Sequence, residues 1–146
     1  MPLQRPASEL QRVFAHACLA FAMMVCAPGL LIADVMITQL ANEGVILSDG
    51  KNRIMIDGMV VEPYSVYGGL DEAAAADFSR ASGAFAGIEL ALSSHRHHDH
   101  NQPRFACQFL QASPQTKFVS SPQVLGLMRE KCRQFVTTSP QIKEID

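Results

Sequence analysis

Residues 95–100 read His95-Arg96-His97-His98-Asp99-His100, and four of the chain's five histidines fall inside this hexapeptide. The apolar run just before it, residues 88–92, reads as a buried strand. Neutral imidazole and carboxylate are ligands for Zn²⁺ and similar divalent ions. In extended backbone, residues two apart point to the same side, so His95 and His97 can reach one ion together. A turn after them can swing Asp99 and His100 onto the same ion or a second one. Ligands gathered just past the end of a strand are characteristic of α/β proteins, which put their chemistry at the carboxyl ends of sheet strands.

The rest of the chain supports that class. Residues 35–40 alternate and carry β-branched side chains, which predicts a strand. Residues 44–47 and 53–56 flank Ser48-Asp49-Gly50-Lys51-Asn52, and an Asp-Gly turn between apolar runs predicts a hairpin. In that hairpin Ile54 and Ile56, with Val45 and Leu47, are expected on the buried side. Residues 63–69 read as a loop ending at Gly68-Gly69. Helices are expected over 71–81, 103–111 and 122–132, the first with acids in its opening turn, the second with Pro103 in its own. Short strands are expected over 116–119 and 135–138. Strands alternating with helices indicate layering through crossover connections.

The motif resembles the H-x-H-x-D-H signature of the metallo-β-lactamase-fold superfamily, with Ser94 where that family often has a small hydroxyl residue. A second match is ITQLANEGVILSDGKNRIMIDG, residues 37–58, which resembles the family's opening strands and ends in Asp57-Gly58. The resemblance covers roughly residues 34–146. It implies an α/β fold of the four-layer αββα type, present here as its N-terminal half: a mixed sheet with helices on one face. It implies His95 and His97 on a first metal, Asp99 and His100 on a second, and Asp57 fixing a ligand histidine through a hydrogen bond. The implied cofactor is Zn²⁺, two per complete site, with iron or manganese also suited to these ligands. The implied reaction is hydrolysis of an ester, amide or phosphoester bond of a small-molecule substrate by a metal-bound hydroxide, with Asp99 as the catalytic carboxylate.

The chain departs from the family at its far end. No histidine follows His100, and the only later acids are Glu130, Glu144 and Asp146. The later ligands that complete the family's site are therefore expected from a missing C-terminal half or through self-association. The alternative function is a catalytically incomplete metal-binding or partner-binding half-domain. Blander readings stand beside each residue: a His-rich loop that chelates adventitiously, and an Asp57 that merely forms a turn. His98 and Arg96 are expected to point away from the ligands, and Tyr64 and Tyr67 to border a pocket or simply to pack.

Ahead of this domain, residues 1–33 form a separate segment. Arg5 and Arg12 precede an apolar run over 13–33, the form of a secretory signal cut after Ala27 or, preferably, Ala33. That predicts an exported protein, periplasmic or secreted. The rival is an uncleaved membrane anchor, since about 20 apolar residues span a bilayer. Cys107 and Cys132 are open to a disulfide in an oxidising compartment, with two separate buried thiols the preferred expectation. A formal net charge of −2 and no basic run give no sign of nucleic-acid binding.

Overall fold

The computed structural model of the chain describes residues 34–145, so the signal or anchor expected over 1–33 lies outside the described residues. Three strands open the domain: β1 (Met36–Gln39), β2 (Val45–Ser48) and β3 (Arg53–Ile56), each antiparallel to the next. The β2–β3 turn is built by Asp49. Its carboxylate accepts from the backbone N–H of Asn52 at 2.6 Å and of Lys51 at 2.8 Å, and from the Asn52 amide at 2.8 Å. Those donors, Asn52's backbone foremost, hold the Asp49 carboxyl below its ordinary pKa. Gly50 supplies the left-handed residue of the turn, at φ 85°.

From β3 onward every connection is a helical crossover. Helix α1 (Glu72–Arg80) and a 3-10 turn at Gly83–Phe85 lead to β4 (Leu90–Ser93). Helix α2 (Pro103–Ala112) leads to β5 (Lys117–Ser120), and α3 (Pro122–Thr138) leads to β6 (Ile142–Glu144). β3 through β6 are parallel, and the six-stranded mixed sheet runs in sequence order, β1 to β6. The protein is thus an α/β fold.

The core forms where α1, α2 and α3 meet one face of the sheet. Ile46, Met55, Ala91 and Phe118 project from the strands, and Phe78, Phe109, Leu110, Leu125 and Met128 from the helices, all at most 1 % exposed. Phe78 packs edge-on against Phe85, with ring centroids 5.1 Å apart. Asp71 caps α1, accepting from the N–H of Ala74 at 2.7 Å.

The opposite sheet face corrects the expected orientation of the hairpin. Ile54, Ile56, Val45 and Leu47 are only partly buried, and Ile46 and Met55 are the residues that meet the helices. Registers Leu47↔Ile54↔Leu90 and Val45↔Ile56↔Leu92↔Val119 line up two apolar rows across this other face. The reason is that residues 45–47 are apolar on both sides, so alternation carries no parity there.

Two further expectations are revised. Residues 135–138 are not a strand: α3 runs on to Thr138 across a break at Cys132, whose φ and ψ are −147° and 51°. The last strand instead is β6, anchored by the buried Gln141 amide, which donates to the carbonyls of Leu110, Ser113 and Thr116. Cys107 and Cys132 are joined as a disulfide, their Cα atoms 6.5 Å apart, rather than lying as separate thiols. The bond staples α2 to the break in α3. Reduction, or Cys107→Ser with Cys132→Ser, is expected to cost about 3 kcal/mol for a loop of this size. Urea unfolding with and without reductant measures it. Among the described residues no helix is long and apolar enough to cross a membrane.

Candidate metal centre

The motif begins where β4 ends, and Asp57 begins where the neighbouring parallel strand β3 ends. The register Ile56↔Leu92 fixes this, because one residue past each partner lie Asp57 and Ser93, and then Ser94. The Asp57 N–H continues the ladder to the Leu92 carbonyl at 2.9 Å. Asp57 then turns at φ 50°, a left-handed conformation that aspartate tolerates better than most residues. The turn directs its carboxylate at the start of the motif.

Asp57 is buried and heavily used. Oδ1 accepts the Ser94 N–H at 2.7 Å, and Oδ2 accepts the Ser94 hydroxyl at 2.7 Å. His100 Nδ1 lies 3.0 Å from the same Oδ2. A carboxylate can only accept, so His100 carries a proton on Nδ1, and in the neutral ring Nε2 is then the free lone pair. With its own hydrogen spent on Asp57, the Ser94 hydroxyl accepts from His95 Nδ1 at 2.9 Å. His95 therefore also keeps its proton on Nδ1 and presents a bare Nε2. One carboxylate sets the tautomer of two histidines, one directly and one through a serine.

The bare nitrogens have partners. His95 Nε2 stands 3.0 Å from His97 Nδ1, and His100 Nε2 stands 3.6 Å from Asp99 Oδ2. Ligands about 2.0–2.2 Å from zinc at near-tetrahedral angles stand about 3.3–3.5 Å from each other. The first contact is a hydrogen bond, His97 Nδ1 donating to the bare His95 Nε2, and an ion held there would take the place of that proton; both pairs are near the spacing of neighbouring ligands on one ion. The His95 and His100 rings lie against each other with centroids 3.9 Å apart, so the two pairs adjoin. The backbone N–H groups of His100 and Asn101 both donate to the His97 carbonyl, at 3.1 and 3.0 Å. That turn is what brings Asp99 and His100 back beside His95.

The donor set fits a divalent metal in kind and in bite, but falls short in number. Among the described residues no group of three or more His, Cys, Asp or Glu side chains converges as a metal cage. A catalytic zinc wants three protein ligands and a water, and a structural one wants four. An open depression of about 360 Å³ lies over the first pair, lined by Ser94, His95, Arg96, His97, Ser121 and Gln123.

No protein-family model matches the chain, and no characterised protein matches it. The site stands on its own geometry.

The structure brings together all five residues expected from the sequence, His95, His97, Asp99, His100 and Asp57. It gives a role to Ser94, noted in the sequence only as a small hydroxyl residue before the motif: its hydroxyl links Asp57 to His95. Arg96 and His98 are exposed, but His98 is not idle: its ring packs on Tyr64 with centroids 4.8 Å apart. Asn101, 1 % exposed, has neither side-chain polar atom hydrogen-bonded, and nothing in the structure explains it. Gln102 beside it is fully used: Oε1 accepts from the N–H groups of Val61 and Glu62, and Nε2 donates to the Glu62 carbonyl.

Proposed function

We propose that this domain is the metal-binding half of a hydrolase similar to the metallo-β-lactamase superfamily, acting on a small-molecule ester, amide or phosphoester. One observation carries the reading. Asp57 engages Nδ1 of His100 directly and Nδ1 of His95 through Ser94, which in neutral rings turns both Nε2 lone pairs toward a second candidate ligand, His97 and Asp99. An adventitious His-rich loop has no reason to keep a buried carboxylate that assigns its tautomers. A second support is that, among the described residues, the helices lie on one face of the sheet while partly buried apolar rows line the other, as in half of an αββα sandwich.

In this reading His95 and His97 hold one ion, and Asp99 and His100 hold a second. Zinc is the first candidate, with iron and manganese compatible with the same ligands. Such ions, when bound, acidify water and offset negative charge developing on a reacting oxygen. The protein's own part is orientation. Asp57 and Ser94 hold the imidazoles, and Asp99 would orient the attacking water or accept its proton. The remaining donors and the cover for the open sheet face come from polypeptide outside residues 34–145, either a further half-domain or a second copy. The expected setting is an exported protein, if residues 1–33 serve as a signal.

A second reading is favoured by the count of donors, two to each pair: a half-domain that binds metal weakly and catalyses nothing. Elemental analysis of the purified chain after gel filtration separates the two. Close to two retained ions per chain supports the hydrolase, and His95→Ala or Asp99→Ala should then abolish turnover without unfolding the domain. Turnover surviving in either variant would sink the mechanism. Loss of all metal on the column favours the weak-binding half-domain.

A further inference from the structure

Helix α3 breaks at Cys132, where φ and ψ are −147° and 51°, and nothing in the local sequence asks for a break. Sharp interruptions of a helix fall at proline, at glycine or where a group inserts into the ladder. Residues 127–138 contain neither proline nor glycine. Met128, Arg129, Glu130, Lys131, Arg133 and Gln134 are all good helix formers. The apolar spacing also runs straight through. Val124, Leu125, Met128, Cys132, Phe135 and Val136 recur at three- and four-residue steps and are all buried or partly buried. An unbroken helix would therefore present the same residues to the core.

What sets Cys132 apart is its bond to Cys107 on α2. The two ends of that bond are unequal. Cys107 is 4 % exposed, whereas Cys132 is only partly buried and lines an open depression of about 510 Å³. Gln111, Arg133, Gln134, Phe135 and Thr138 form the rest of the wall. An anionic thiolate entering there meets the exposed Arg133 guanidinium beside the sulfur it would attack.

We propose that Cys132 is a thiol-exchange site and that its bond to Cys107 holds α3 broken, so that reduction rejoins the helix. The reductant is a dithiol. Its thiolate attacks Cys132 Sγ through the depression, the bond to Cys107 breaks, and Cys107 leaves as a thiolate that takes up a proton. The reductant's second thiolate then displaces Cys132, which is protonated in turn, and the reductant departs as a disulfide. Two electrons and two protons pass to the protein, and no step involves a metal. Freed from α2, Cys132 takes helical φ and ψ. The N–H groups of residues 133–136 then recover their bonds to the carbonyls of residues 129–132. Residues 133–138 carry most of the wall of the depression, so its shape changes with redox state.

Amide hydrogen exchange of the full chain, oxidised and then reduced with dithiothreitol, tests the break. Loss of a staple alone speeds exchange throughout. A rejoined helix instead slows the amides of residues 133–136 by about ten-fold, the protection of roughly one net hydrogen bond, even as α2 exchanges faster. Cys132→Ala should show the same local slowing with no reductant present. For the exchange site, brief treatment with glutathione, then alkylation and peptide mapping, should find the glutathione on Cys132 and the alkyl group on Cys107. Amides of 133–136 that keep their rate or speed up on reduction would overturn the inference, and so would glutathione carried on Cys107. Should Cys132→Ala fail to fold, the reduced wild-type chain decides alone, and its global unfolding counts against the inference.

Discussion

His95→Ala is expected to weaken zinc binding by about a hundred-fold, the share of one ligand in a site whose binding energy is spread over about four. Asp57 is not itself a candidate ligand, yet Asp57→Asn is expected to cost about 10–100-fold, the usual price of losing an orienting partner. The reasoning is stereochemical. An Asn amide keeps the shape of Asp57 and still suits its left-handed backbone at φ 50°. What changes is the hydrogen-bond sense: the position that accepts from both Ser94 Oγ and His100 Nδ1 can become a donor. His100 then loses its reason to keep the proton on Nδ1, and Ser94 loses its reason to accept from His95. Chelator competition measures the affinity and thermal unfolding measures the fold. If Asp57 serves only the turn, Asp57→Asn leaves both unchanged. An affinity loss at unchanged melting temperature assigns it to the donors.

That variant also separates what was legible in the sequence from what was not. The candidate donors were legible because ligand chemistry is confined to a few residue types and His95, His97, Asp99 and His100 sit within six positions. Asp57 was legible only through the resemblance of residues 37–58 to a family's opening strands, since an Asp-Gly by itself reads as a turn. The relay through Ser94 was not, since its role depends on β3 and β4 being parallel and in register, a contact between positions 37 residues apart. The Tyr64–His98 contact was hidden for the same reason. In the fold, the helices were visible through their apolar spacing and first-turn residues. β6 was missed because Ile142-Lys143-Glu144 has a single apolar residue and pairs on one side only. The stretch at 135–138 misled because Phe135, Val136 and two threonines favour strands by propensity, whereas Val136 is buried as part of a helix resumed after the Cys132 break.

The hairpin parity is the most consequential of these differences, because it exposes the larger apolar surface. Ile54→Glu combined with Leu92→Glu is expected to leave the melting temperature within a few degrees and to abolish self-association and dye binding by the chain. Both residues stand on the sheet face opposite the helices, in the rows Leu47–Ile54–Leu90 and Ile56–Leu92–Val119, so neither charge enters the helix-packed core. The same change at Met55, 0 % exposed on the opposite face, should unfold the domain. The size of the face decides what can cover it. Six strands about 4.8 Å apart and about 13 Å long present roughly 400 Å² in plan. A stable interface needs about 800 Å² per partner. Two copies meeting through this face alone should therefore associate weakly and in proportion to concentration, while a second half-domain that also reaches the metal donors and the sheet edge would bind tightly. Sedimentation of the wild-type chain across a concentration series, beside the double variant, reads this directly. A wild type that stays monomeric and binds no hydrophobic dye would mean that the face needs no cover, and would remove the one-sided sheet as support for a half-sandwich. Weak association lost in the double variant would mark this face as a contact between copies of the chain.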